Sequence, residues 1–134
     1  RRGPDLGKQF YDPPDVFSPV RIYSHGVRAG STLTLAGQAP LDEMGAVVGP
    51  GDAATQCRRV FSELKKTLDL AGATFADVVY VRAYVTHRAV LPVLRAIAAE
   101  IFAGNRPAFT PVIVPGVRAA GALVEVELVV EFAA

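Results

Sequence analysis

The chain has 134 residues, 51% of them hydrophobic and 20% charged, with 14 basic against 13 acidic side chains and a formal charge of +1. That length suits one domain burying roughly 70% of its unfolded surface, and the composition excludes a disordered tail. The balanced charge argues against a nucleic-acid partner; one cysteine and no apolar run near the ~20 residues of a membrane span leave a soluble, cytoplasmic protein as the expectation.

Residues 1–19 mix glycine, proline and charge without periodicity and are read as an amino-terminal arm ahead of a single domain over 20–134. The opening at Arg1 fits a missing or removed upstream portion, and no apolar stretch resembles a signal peptide. Alternating runs at 20–27 and 32–39, joined through Gly30, predict a β-hairpin. The glycine-rich segment 45–51 matches no phosphate-loop spacing and reads as turns.

Asp52 is an N-cap for a helix from about Asp52 to Ala71, in which Cys57, Val60, Phe61, Leu64 and Leu68 recur at steps of three and four and Gly72 stops the run. Cys57 on that stripe reads as a small buried hydrophobe. A strand over 76–87 sets Val79, Val81, Ala83 and Val85 against Tyr80, Arg82, Tyr84 and Thr86.

A second helix is predicted over Val90 to Phe102, with Pro92 tolerable in its first turn and Arg95 off the apolar stripe. Arg95 is either a solvated helical arginine or an anion-binding group, with Arg82 and Arg106 weaker candidates. Pro107 and Pro111 stiffen the chain around Phe109 and Thr110 at the next strand's entrance, where Thr110 is either a strand-entry residue or a hydrogen-bonding group for a carbonyl. The last strand, over 121–132, alternates Val124, Val126, Leu128 and Val130 with Glu125, Glu127, Val129 and Glu131.

The order ββαβαββ predicts an α+β two-layer sandwich, with two helices covering one face of a single mixed sheet. The other face, with Tyr23, Tyr80, Arg82, Tyr84, Glu125 and Glu127 among valines, suits a subunit interface. His25 reads as an exposed histidine near a turn or as an acid or base beside Tyr23, and His87 as a loop residue. Two histidines and one cysteine show no metal-ligand spacing.

Gly37-Gln38, the Gly45 turn, Gln56 in the first helix, Ala71-Gly72 and the closing Val124-Glu-Val-Glu127 occur in an order and spacing that resemble the reactive-intermediate deaminase family, also called Rid or YjgF-like, from about Val20 to Phe132. The resemblance implies a chorismate-mutase-like fold, a homotrimer with clefts between subunits, and hydrolysis of small enamines and imines to a keto compound and ammonia without metal or organic cofactor. By position it carries a cleft tyrosine onto Tyr23 and a water-orienting glutamate onto Glu125. The family's substrate-binding arginine falls on Phe109, a serine before the Gly-Gln pair on Ala36, and a polar position of the second helix on Arg95.

A phenyl ring cannot replace a two-pronged guanidinium–carboxylate bond, so Phe109 weighs against ordinary 2-imino-acid hydrolysis. The leading expectation is a cofactor-independent hydrolase of a reactive enamine, imine or related small carbonyl compound, using Tyr23 and Glu125 with Phe109, Thr110, Arg95 and Ala36 shaping the pocket. The alternative is a non-catalytic trimeric module that binds a metabolite or a protein.

Overall fold

The computed structural model describes residues 7–18 and 22–133, and within them six strands and two helices form two layers. Strands β1 (Gln9–Tyr11), β2 (Gly26–Ala29) and β3 (Thr32–Gln38) lead into α1 (Ala53–Ala71); a single 3-10 turn (Phe75–Asp77) precedes β4 (Val78–Val85), followed by α2 (Val90–Phe102), β5 (Ala108–Ile113) and β6 (Val124–Glu131). The sheet runs β1-β2-β3-β6-β4-β5, antiparallel except for β4 and β5. It is the α+β sandwich expected, with β6 carried back into the middle.

Helix α1 starts and stops for the reasons its sequence offers. The Asp52 carboxylate accepts from the Thr55 amide at 3.0 Å, and Gly72 takes a left-handed φ of 76° while the following Ala73 amide bonds the Leu68 carbonyl. Its apolar stripe meets Leu33 and Leu35 of β3 and the inward residues of β4 and β6, all fully buried. Phe61, Phe75 and Phe102 pack edge to face, with centroids 5.7–6.2 Å apart, and tie the two helices to the 3-10 turn.

Three details differ from the sequence reading. The first predicted strand begins later, at Gly26: Val20 and Arg21 lie outside the described residues, and Tyr23 and His25 precede β2 because the His25 amide turns to the Asp12 carboxylate at 2.9 Å instead of the sheet ladder. A strand, β1, falls within the stretch read as an arm and pairs with β2. Val79 does not share the face of Val81: a bulge between Val78 and Tyr80 opposite β6 buries Val78 and leaves Val79 46% exposed.

Candidate active site

β3 bulges between Leu35 and Gln38, where it parts from β6. There Tyr23, Ala36, Gly37, Gln38 and Glu125 converge with Phe17 and Arg118 on a cavity of about 240 Å³. The sheet register brings Glu125 opposite Tyr84 at the start of β6, so three segments distant in sequence meet at one end of the sheet.

Of the residues singled out in the sequence, Tyr23, Ala36 and Glu125 are brought together here. Phe109 and Arg95 line a different, largely apolar cavity of about 490 Å³ between α2 and β5, with Leu91, Leu94 and Phe102. Phe109 pairs in register with Val81 of β4 and Thr110 with Arg82, so the two sit on opposite sides of β5. Neighbouring residues of a strand point to opposite faces, so Phe109 and Thr110 do not floor one pocket.

Glu125 is half-buried and accepts no hydrogen bond from any described residue. Burial holds its carboxyl above the usual range; the Arg118 guanidinium pulls it down, and the nearby Glu127 carboxylate pushes it up. Gly37 makes room for it, since a methyl group there would stand 2.5 Å from Glu125 Oε2. The Tyr23 hydroxyl accepts from Arg118 Nη2 at 3.3 Å, and no described residue accepts its own proton.

Arg118 is a residue lining this cavity that sequence reasoning missed, because it sits in a loop with no periodic pattern. That loop is pinned at both ends. The Val114 amide donates to the Val85 carbonyl, and the Leu123 amide donates to Oε1 of the fully buried Gln56 at 2.8 Å. The arm contributes as well: Phe17 lines the cavity, its ring packed where Gly45, at φ 85°, has no side chain.

His25 is 3% exposed, so the turn-surface reading gives way to a buried ring. Its Nδ1 is 2.8 Å from Gln38 Nε2, its ring stands edge-on to Tyr23 at 5.9 Å, and no described residue bonds its Nε2. Burial lowers its pKa, against opposing pulls from Asp12 and Glu63. A depressed imidazole pKa means the unfolded chain binds more protons below about pH 6.5, so the stability linked to neutral His25 is present above that pH and lost as pH falls through the folded value. Thermal melts between about pH 7 and 5 are expected to decline less steeply for His25→Gln than for the parent; equal slopes would remove His25 from that window.

Along the sheet face away from the helices, Tyr84 donates to Glu127 at 2.9 Å and Arg82 donates to the Tyr80 hydroxyl at 3.2 Å. A second cavity of about 230 Å³ opens there and shares Arg118 and Glu125 with the first. Cys57 is buried on α1 and pushed up to about 11 by that burial, far from thiolate chemistry. No described helix is long and apolar enough to cross a membrane.

Two helices on one face of a mixed sheet, with a half-buried glutamate where the strands part, define the class of fold. The family described as Endoribonuclease L-PSP matches residues 15–132. A RutC family protein of Pyrococcus horikoshii is 32% identical over 90 residues, covering 67% of this chain and 71% of the relative. A conserved Rid family protein of Yersinia pestis superposes with a TM-score of 0.87 at 27% identity, over 93% of this chain and 99% of the other. RidA of an Antarctic Psychrobacter shares the fold, with a TM-score of 0.85 at 24% identity over 92% and 99% of the two chains. The chain belongs to this family, the Rid, YjgF-like or L-PSP proteins.

Proposed function

We propose that the protein is a cytoplasmic, cofactor-independent hydrolase of a reactive enamine, imine or related small carbonyl compound, acting at the Tyr23–Glu125 cavity. The observation that carries this reading is a half-buried carboxylate that accepts no hydrogen bond from a described residue, lining the same cavity as a tyrosine hydroxyl whose proton no described residue accepts. In the reaction, a water oxygen bonds to the imine carbon while one of its protons passes to Glu125 and the C=N π pair moves onto nitrogen. Glu125 returns that proton to nitrogen, giving a carbinolamine. It then takes the hydroxyl proton and passes it to the amine as the C–N bond breaks, releasing ammonia and leaving a carbonyl. Tyr23 holds the oxygen or nitrogen in line by its hydrogen bond.

The active assembly is a homotrimer with clefts between subunits. Supporting this is the sheet face bearing Tyr80, Arg82, Tyr84 and Glu127, which neither helix covers and which is too apolar for open water. RNA cleavage, the activity named in the family's description, is the weaker reading: a chain of charge +1 with Glu125 and Glu127 at its cavity lacks the basic stripe that gathers phosphates.

The test is to generate 2-aminoacrylate and bulkier imines in situ and follow ammonia and keto product with the parent and with Glu125→Ala. Acceleration that depends on Glu125 supports the hydrolase. No acceleration with any imine sinks it and leaves the binding module. Light scattering at micromolar concentration is expected to give three times the 14.2 kDa chain mass; a monomer would remove the shared cleft.

A further inference from the structure

We infer that His25 is a positioning residue of the Tyr23–Glu125 cavity: through Gln38 it decides whether the cavity wall offers a hydrogen-bond acceptor or a donor to the reacting group, and an internal water on Glu63 and Thr67 holds it from behind. This rests on the reading of that cavity as the hydrolytic site. His25 is a buried titratable side chain that the proposed reaction leaves unused. It borders both that cavity and a neighbouring one of about 310 Å³ under the arm, lined by Asp12, Ser18, Tyr23 and Ser24.

Gln38 closes β3 at the bulge, buried, with its Nε2 2.8 Å from His25 Nδ1. An amide nitrogen only donates, so Nδ1 is the accepting nitrogen and the proton of the neutral ring sits on Nε2. Oε1 of the same amide is bonded by no described residue and is not among the sealed polar atoms, so it opens on the cavity that Gln38 lines. The neutral ring thereby turns an acceptor oxygen toward the site of Glu125. Protonation reverses the arrangement. An imidazolium donates from both nitrogens, so Gln38 must turn its amide over, giving Oε1 to Nδ1–H and its NH2 group to the cavity.

The far side of the ring selects that tautomer. His25 Nε2, Glu63 Oε2 and Thr67 Oγ1 are each enclosed, on residues 1–3% exposed, and bond no described residue. Thr67 follows Glu63 by one helical turn, and Gly26, next to His25, abuts it: a methyl group there would stand 2.7 Å from Thr67 Cγ2. The Glu63 carboxylate is close enough to act on the charge of the ring. Its Oε1 is taken by Arg59 at 2.8 Å and Lys66 at 3.3 Å, which leaves Oε2 as an acceptor in need of a donor. One water closes the set, accepting from Nε2–H and the Thr67 hydroxyl and donating to Oε2, the three bonds typical of a buried water. The titratable groups around the ring are Asp12 of the arm, Tyr23 edge-on to it, Glu63 with its partners Arg59 and Lys66, and Glu125 in the same cavity. Burial outweighs the pull of Asp12 and Glu63 and keeps the ring neutral near pH 7.

Long-range proton–nitrogen correlation spectra of the isotope-labelled protein test this without requiring turnover. Near neutral pH His25 is expected as the Nε2–H tautomer, its Nε2 proton in contact with water and its Nδ1 bonded to the Gln38 amide. On acidification the Gln38 NH2 resonances should move with the midpoint of the His25 ring, below its ordinary value of 6.5. An Nδ1–H tautomer overturns the inference, as does an Nε2 proton without water contact or a Gln38 amide that ignores the titration. Kinetics supply the second arm. Gln38→Met keeps the length and loses both polar atoms, and is expected to lower kcat/KM for imines about three- to tenfold, the weight of one neutral hydrogen bond. His25→Phe should do the same and add nothing in the Gln38→Met background; losses that simply multiply overturn the coupling. Imine hydrolysis by Gln38→Met at the parent rate removes the inference and keeps the hydrolase. The expected tautomer and amide reversal in a parent that turns over no imine keep the pinned acceptor and remove the hydrolase.

Discussion

Glu125→Gln is expected to slow imine hydrolysis by roughly a hundred- to ten-thousandfold, the range that a positioned acid–base group contributes, equivalent to about 3–5 kcal/mol of transition-state stabilisation. Glutamine keeps the volume and a carbonyl oxygen but cannot accept a proton from water. The pH profile gives the independent signature. Burial raises the Glu125 carboxyl above the ordinary glutamate value of about 4.3, so kcat/KM of the parent should fall as pH drops through an acid limb above that value. The limb should vanish in Glu125→Gln. In Arg118→Ala it should move to higher pH, because the nearby positive charge that favours the carboxylate is gone. Stability runs the other way. A raised carboxyl pKa contributes stability that is present below the unfolded value and lost as pH rises through the folded one. At neutral pH Glu125→Gln should therefore melt slightly higher than the parent, a trade of stability for activity common at functional sites. A variant with unchanged rate and an unmoved acid limb would take the proton-transfer role away from Glu125.

The helices were legible for different reasons: Asp52 and Gly72 bound α1, whereas α2, which has no side-chain cap, is marked by an apolar stripe running to Phe102. Sheet detail was less so. Whether Val78 or Val79 turns inward depends on a bulge set by pairing with Val129 and Val130, which no local pattern encodes. Tyr23, Ala36 and Glu125 were grouped through family resemblance, since their meeting depends on β6 returning to lie beside β3. Phe109 and Thr110 were joined by the prolines around them, whereas strand alternation alone separates them. Arg118 left no periodic mark; its place is fixed by contacts of the loop's ends to Val85 and Gln56, visible only once the chain is folded. Of the two readings of His25 only the exposed one fails, because the arm packs over it and Asp12 holds its amide.

The substitution that best separates the site from the scaffold is Gly37→Ala. Gly37 has no left-handed backbone, so alanine meets no conformational penalty, and in a strand it should recover roughly 0.5–1 kcal/mol of the entropy that glycine costs. Its methyl group, however, would stand 2.5 Å from Glu125 Oε2 and 3.2 Å from Cδ and Cγ. The carboxylate is the mobile end of that contact and must swing aside by about an ångström, a displacement that alone can cost on the order of a hundredfold in rate. Gly37→Ala is therefore expected to lose about two decades of kcat with a melting temperature at or above the parent's. Gly45→Ala should do the opposite. There a methyl group would lie 2.6–2.9 Å from the Phe17 ring, on a backbone with φ of 85°, so the loss should appear first in stability. Steady-state kinetics beside thermal melts on the two variants tests both at once. If Gly37→Ala hydrolyses imines at the parent rate, the position of the Glu125 carboxylate does not matter to the chemistry, and the site must be sought elsewhere on the molecule.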